Sequence, residues 1–334
     1  MKKLTINEIA EKAGVSKTTV SFYLNGKTNK MSEDTKQRIQ HIIDETGYEP
    51  NAAARAMKAK STGLIGVILG DVSESYSARA LKGIEDAASA QEYQIMIGNS
   101  GLAFQHEKDY VNRMIKLGAE GFIIQSTYRF GMLASELEKK KKPIVYLDAR
   151  PYDFKGRYVK GNNYDCVYQV ITECIKKGYD DFLMISDGEA DISTGFENTQ
   201  GYKDALSDAW REGGTRFLQE GIKSTEVFDM LKQVVDLKKK TLIYVASPGL
   251  LQTVYQAVRN YPDYNSLFPG TLGLIGFDDQ GWTRLTTPAI SAIIIPAYEV
   301  GVRAMEELID LLEGKRAEGE VVFKNIVKWR ETTL

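Results

Sequence analysis

The 334-residue chain is 43% hydrophobic and 26% charged, enough apolar material for two or three globular units and too much for a disordered or fibrous chain. Lys and Arg total 43 against 45 Asp and Glu, a net charge of -2, so the chain as a whole calls neither for nucleic acid nor for a membrane surface. The average conceals a split, because residues 1–60 hold 11 Lys/Arg against 7 Asp/Glu: a basic head precedes an acidic body.

The N-terminus, MKKLTINEIAEKAG, has no apolar stretch of about 7 to 15 residues and no small-residue cleavage site, which argues against export and for a cytoplasmic protein. Thr5 is placed as an N-cap, with Glu8 where a capping-box carboxylate returns to it. Ile6, Ile9, Ala10 and Ala13 then recur at helical spacing, Gly14 can take a left-handed turn, and Ser16 caps a second helix whose Val20 and Leu24 face inward. A third amphipathic helix spans about Ser32 to Thr46, with Ile39, Ile42 and Ile43 on one face, and stops at Gly47 ahead of Pro50. Three such helices close a small core and suit either a plain cap on a larger domain or a DNA-binding helix-turn-helix. For the second reading, Ser16, Lys17, Thr18, Thr19 and Ser21 put short polar groups near the start of a helix that enters a major groove. Lys2, Lys3, Lys27, Lys30 and Arg55 are available for phosphates.

INEIAEKAGVSKTTVSFYLNG, the third helix and GYEPNAAARAMKAKSTGLIGVI together resemble the start of a LacI-family transcriptional regulator. The resemblance implies that Lys17 and Thr18 read bases and that Thr19 and Ser21 make phosphate or supporting contacts, with Thr5, Ser16 and Asn25 also at the interface. It further implies a hinge helix at 51–58 that orders in the minor groove and brings Asn51, Ala54, Arg55 and Met57 to the DNA. Two positions depart from the family. Phe22 stands where Arg is common, and can touch a thymine methyl but cannot hydrogen-bond guanine. Met57 stands for the usual Leu wedge; its flexible apolar side chain suits insertion between base steps or ordinary packing within the hinge.

From residue 61, short apolar runs alternate with stretches of helical length: LIGVIL at 64–69, YQIMIG at 93–98, GFIIQ at 121–125 and PIVYLD at 143–148 come first. FLMIS at 182–186, TLIYVAS at 241–247, LGLIGFDD at 272–279 and AIIIP at 292–296 continue the pattern. The alternation predicts an α/β body of doubly wound parallel sheets, too long for one small domain and so two-lobed. With the resemblance, the expected architecture is a helix-turn-helix domain at 1–48, a hinge helix and linker at 49–60, and a periplasmic-binding-protein-like effector and dimerisation domain at 61–334. Its N-lobe is expected at about 61–160 and 292–320, its C-lobe at about 161–291 and 321–334. Ligands bind such sheets beyond the carboxyl ends of the strands. The residues there are Asp71 with Tyr76, Gln125 with Ser126, Asp148, Asn198 after a long loop, Ser247, and Asp278 with Trp282. Carboxylates and amides suit hydroxyls, and Tyr76 and Trp282 suit sugar faces, although each residue also fits an ordinary cap or loop.

GFDD with Trp282, followed by TTPAISAIIIPAYEVGVRAMEELIDLLEG, resembles the family's C-terminal signature, which implies Asp148 and Asp278 as effector contacts, with Tyr76 and Gln125 beside them. Asn198 replaces a pocket Arg of the family, so the cation for an anionic effector would come from Arg79, Arg129 or Arg150. VSFYLNGK, GNNYD at 161–165 and the WRETT ending look most like regulators of hyaluronan and 2-keto-3-deoxygluconate catabolism, implying a uronate-derived sugar acid rather than a neutral sugar.

No phosphate loop motif occurs, and the run Lys139 to Lys142 reads as a solvated helix end. Cys166 and Cys174, with only His41 and His106, suggest neither disulfides, metal nor cofactor, and no apolar run approaches the roughly 18 residues of a membrane span. The expectation is a non-enzymatic homodimeric repressor of carbohydrate catabolism genes, bound to a pseudo-palindromic double-stranded operator and controlled by a sugar or sugar-acid effector. The rivals are a sugar-binding transport protein and a sugar-modifying enzyme using Asp148 and Asp278 as acid and base.

Overall fold

The computed structural model of the protein describes residues 4–29, 31–48, 61–148, 156–187, 193–219, 221–277, 281–315 and 319–333. The chain forms two units, residues 1–62 and 63–334. In the first, α1 (Ile6–Lys12), α2 (Lys17–Leu24) and α3 (Glu33–Thr46) enclose Ile9, Ala10, Ala13, Val20 and Ile39. The expected capping box forms: Thr5 N–H donates to Glu8 Oε2 at 2.6 Å, and Glu8 N–H to Thr5 Oγ1 at 3.4 Å. Ser16 Oγ and Ser32 Oγ cap α2 and α3 by accepting the backbone N–H of Thr19 and Thr35. Gly14 and Gly47, at φ of 63° and 58°, supply the left-handed turns that end α1 and α3. The hinge segment 49–60 lies outside the described residues.

The second unit opens with β1 (Leu64–Leu69), α4 (Ser75–Ala90), β2 (Gln94–Asn99), α5 (Phe104–Leu117), β3 (Gly121–Ile124), α6 (Gly131–Lys139), β4 (Ile144–Leu147) and β5 (Arg157–Gly161). It continues with α7 (Asn163–Lys176), β6 (Asp181–Ser186), α8 (Ser193–Asp208), β7 (Gly214–Phe217), α9 (Ser224–Val234), β8 (Thr241–Val245), α10 (Pro248–Val258), α11 (Tyr264–Leu267) and β9 (Leu272–Phe277). It closes with β10 (Ser291–Ile294), α12 (Ala297–Leu312), β11 (Gly319–Phe323) and β12 (Ile326–Lys328). Two six-stranded sheets result, in the orders β11-β5-β4-β3-β1-β2 and β12-β10-β9-β8-β6-β7. All pairs are parallel except β10 with β12. Helices cover both faces, which is why the apolar runs are continuous rather than alternating. In the first lobe Ile65, Val67, Val145 and Val159 pack under α4 and α12, while Phe122, Ile124 and Tyr146 pack under α5 and α6.

The lobe boundaries differ from expectation. Residues 292–294, placed by sequence in the N-lobe, form β10 beside β9 in the second sheet. Residues 321–323, placed in the C-lobe, form part of β11 beside β5 in the first, where Val321 and Phe323 reach that lobe's core. The chain therefore crosses between lobes after β5, after β10 and after β11. Strands β5, β7, β11 and β12 went unread because their apolar runs are short and bounded by polar or glycine residues: β7 has the pattern of an exposed sheet edge, and β11 and β12 are short edge strands.

Helices α4 and α12 approach at their backbones. A β-carbon on Gly301 would stand 2.0 Å from Ala80 O, and one on Gly83 2.1 Å from Tyr298 O. Glycine inside a helix normally costs about 1 kcal/mol relative to alanine. Here the sign should reverse: Gly301→Ala is expected to destabilise the body by about 1–3 kcal/mol through overpacking. Thermal unfolding checks this, and a raised Tm would mean that the two helices separate without cost.

Candidate functional site

The exposed face of α2 follows from its cap. Ser16 Oγ also shares a 2.8 Å bond with Thr19 Oγ1, so Thr19 is half-buried and tied to the start of α2. Lys17 and Thr18 project exposed from its first turn. Phe22, 49% exposed, follows Thr18 by one turn on the same face. Ser21 is half-buried, and its carbonyl accepts the Asn25 side-chain N–H at 2.6 Å, which gives Asn25 a role in ending the helix. Thr5 thus caps α1, and Ser16 and Asn25 hold the two ends of α2, while Lys17, Thr18 and Phe22 form the exposed surface of α2. Asn51, Ala54, Arg55 and Met57, together with Lys2, Lys3 and Lys30, lie outside the described residues.

In the body, the candidate effector residues stand at strand ends, but several already hold the scaffold. Asp71 Oδ1, past β1, accepts both the N–H and the hydroxyl of Ser73 at 2.8 Å, an Asx turn leading into α4. Those bonds hold its carboxyl below the usual range. Tyr76 is only 8% exposed and its ring packs in the first lobe's core, so it is not the open stacking platform expected. Gln125 Oε1 accepts Gly70 N–H at 3.0 Å and the Ser77 hydroxyl at 3.3 Å, which joins the ends of β1 and β3. Ser247 Oγ accepts Asp187 N–H at 3.0 Å and donates to Asp187 Oδ1 at 2.6 Å. Trp282 sits half-buried in a short 3-10 turn, 6.1 Å from the Tyr255 ring.

Other groups are differently placed. Ser126 Oγ and Asn198 Oδ1 are buried and have no protein partner among the described residues. Asn198 lies on α8, and its amide N–H donates to Ala246 O at 3.3 Å, at the end of β8. Asp148 is buried at φ 57°, where the chain turns away from β4. Arg79 and Arg129 are exposed, the latter just beyond Thr127, while Arg150 and Asp278 lie outside the described residues. Among the described residues no cluster of His, Cys, Asp and Glu could hold a metal ion, and no helix is long and apolar enough to cross a membrane. Cys166 and Cys174 are free and buried in α7, their thiols pushed up to about 11 and about 12 by burial.

Residues 62–235, more than half of the chain, match the family described as periplasmic binding proteins and sugar binding domain of LacI family. The chain belongs to the LacI family. Residues 5–51 match the bacterial regulatory proteins of the lacI family, and residues 171–333 match a periplasmic binding protein-like domain. Head and body are therefore the DNA-binding and sugar-binding parts of a LacI-family transcriptional regulator. The HTH-type transcriptional regulator KdgR of Bacillus subtilis is 27% identical over 95% of this chain and 94% of its own. Catabolite control protein A of Priestia megaterium is 25% identical over 99% of both. Among solved structures, a lac repressor dimer bound to operator and the anti-inducer ONPF superposes with a TM-score of 0.83 at 18% identity, covering 100% of both chains. A CelR–cellobiose complex gives 0.68 at 20%, covering 98% and 99%.

Two groups in this LacI-family body were not found by sequence reading. Asp187 was missed because it adds one acid to a strand end already rich in polar residues. Glu107 was missed because it occupies an ordinary helix position on α5, with nothing in its neighbours to signal burial. Its Oε1 accepts Thr127 N–H at 2.7 Å and its Oε2 accepts the Thr127 hydroxyl at 2.8 Å, fixing the backbone next to Gln125 and Ser126. Burial raises the Glu107 carboxyl above its ordinary 4.5, against the two bonds from Thr127, which lower it. A raised native value stabilises the fold fully below the ordinary value, and that contribution is lost as pH climbs through the native one. Glu107→Gln retains an acceptor for Thr127 N–H and does not titrate. Its stability relative to the parent should therefore increase between about pH 4 and pH 7. Denaturant unfolding across that range measures the difference, and a constant or falling difference would refute the burial argument.

Proposed function

We propose that this regulator is a homodimeric, cytoplasmic repressor without catalytic activity, which binds a pseudo-palindromic operator and is released by a hydroxyl-rich sugar acid held between its lobes. The observation that carries the DNA half is the exposure of Lys17, Thr18 and Phe22 on one end of α2, with the cap and the helix end held by other residues. One such helix reads only a few base pairs, and a twofold pair doubles the site. The similar lac repressor is a dimer on operator DNA, which supports this assembly.

For the effector, Ser126 and Asn198 present buried polar atoms that an apolar ligand would leave unsatisfied, and Asp148 is a buried carboxylate just past the end of β4. The similar regulator CelR, in complex with cellobiose, supports a carbohydrate as the class of effector. The choice of an acid rests on the motif likeness of VSFYLNGK, GNNYD and WRETT. Binding shifts the lobes between two arrangements, and only a ligand that favours one of them can release DNA. An enzyme built on the same body would need Asp148 to act with Asp278, and would have no use for the head.

The test is an operator titration with a fragment from upstream of the protein's own gene. Thr18→Ala should change base preference at a single position of each half-site by about 1–3 kcal/mol, whereas Lys27→Ala should weaken all sequences alike and flatten the salt dependence. 2-keto-3-deoxygluconate should release the operator and glucose should not. Failure of the full chain to shift any such fragment would remove the regulator reading, and release by glucose alone would remove the acid.

A further inference from the structure

The crossing region carries a charged contact between the lobes that the site described above does not include. Lys160, on β5 of the first lobe, donates to Glu197 Oε1, on α8 of the second, at 2.6 Å. The two side chains are only 14% and 19% exposed. Glu320 Oε2, on β11, lies 4.0 Å from the same ammonium. One candidate effector residue of each lobe neighbours this pair along the sheet or the chain. Leu147 aligns with Val159 in the β4–β5 ladder, and Asp148 N–H donates to Val159 O at 3.1 Å, so Asp148 runs alongside Lys160. Asn198, with its buried Oδ1, directly follows Glu197 on α8.

We infer that Lys160 is the cation that receives the carboxylate of the effector, and that the incoming carboxylate takes it from Glu197. The inference rests on the sugar-acid reading above and adds to it the residue that recognises the acid and the bond that binding exchanges. The electrostatics require exchange rather than addition. Glu197 and Glu320 already supply two negative charges to one ammonium. A third carboxylate beside them would leave excess negative charge largely shielded from water, which is strongly unfavourable. Glu197 is the partner that has to yield, because it holds the ammonium at 2.6 Å, the position an incoming carboxylate would take, whereas Glu320 stands 4.0 Å away. A neutral sugar cannot displace a carboxylate from an ammonium, so the exchange selects for an acid. It also alters the join between lobes: a direct bond from β5 to α8 becomes a bridge through the ligand, whose hydroxyls reach Ser126, Asp148 and Asn198.

The test is calorimetric titration of the full chain with 2-keto-3-deoxygluconate. Lys160→Met keeps the side chain's apolar stem and should weaken binding about 10- to 100-fold, the value of a hydrogen bond to a charged group. Glu197→Gln removes the competitor and should tighten binding several-fold, while the double variant should bind as weakly as Lys160→Met alone. Opposite signs in the two single variants cannot both arise from misfolding, and thermal unfolding of each gives a separate check. If the parent chain binds the acid and Lys160→Met binds equally well, the assignment of Lys160 is overturned while the sugar-acid reading stands. Weaker binding by Glu197→Gln would make Glu197 a direct ligand contact and overturn the exchange. If the parent chain binds glucose but no acid, the sugar-acid reading fails and this inference fails with it.

Discussion

Asn325 fastens two of the connections between the lobes to each other, and the freedom of the whole body depends on that knot. Its backbone N–H donates to Asn162 Oδ1 at 2.7 Å and its side chain donates to Asn163 Oδ1 at 2.8 Å, while Asn162 N–H donates to Phe323 O. The crossings after β5 and β11 thus run as one strap. Gly161 belongs to the same knot: a β-carbon there would stand 2.5 Å from Asn325 Oδ1, so close approach rather than an unusual φ excludes a side chain. With two crossings tied, relative motion of the lobes is confined to a few backbone torsions at adjacent points, the condition for a hinge. The strand ends of the two sheets can approach or part along one path.

That confinement explains why so many polar residues near the crevice are engaged elsewhere. Gln125 joins β1 to β3, Ser247 joins β6 to β8 through Asp187, and Glu107 secures Thr127. These bonds hold the strand ends of each lobe rigid, so that the groups left for a ligand keep fixed positions within their own lobe. On the proposed reading, ligand recognition falls on Ser126, Asp148 and Asn198, with the Lys160–Glu197 pair between the lobes. An amphipathic ring at Tyr76 does not belong to this set, because its apolar body is worth more in the core beneath α4.

The sequence made the head almost fully legible, since Thr5, Glu8, Ser16 and Gly47 each act through neighbours no more than a few residues away. The long apolar runs were legible for a similar reason, because a strand buried on both faces must be apolar throughout. What local pattern could not reveal were contacts made across the fold. Lys160 and Glu197 are 37 residues apart, and nothing near either marks it as paired with the other lobe. Asn198, expected after a long loop, lies on α8, whose opening Ser, Thr and Gly are not strong helix formers and leave the helix start unmarked. The WRETT ending, read as a family mark, has a packing role: Thr332 Oγ1 donates to Leu274 O and accepts Ser291 N–H, and the Arg330 guanidinium donates to Thr283 Oγ1, sealing the second lobe.

A second buried charge cluster determines where effector energy can go. Glu307, only 1% exposed on α12, lies between Arg157 of β5 and Arg303 of its own helix. Burial alone would raise its carboxyl, but the two guanidinium groups outweigh burial and keep it below the usual range. Such a cluster adds little net stability compared with an apolar core, yet breaking it would strand a buried charge. It therefore ties α12 to β5 in one register and stiffens the first lobe right up to the crossing. With Gly83 and Gly301 locking α4 to α12 as well, ligand binding cannot be absorbed by rearranging the lobe interior. Its free energy must act on the hinge. Moving a two-state hinge from about 1:99 to 99:1 takes roughly 5.5 kcal/mol of differential affinity. One charged bond supplies about 1.5–3 kcal/mol of that, so the effector has to engage both lobes at several groups together. On the proposed assignment, a ligand that reached Lys160 but not Asn198 would occupy the crevice without turning the switch.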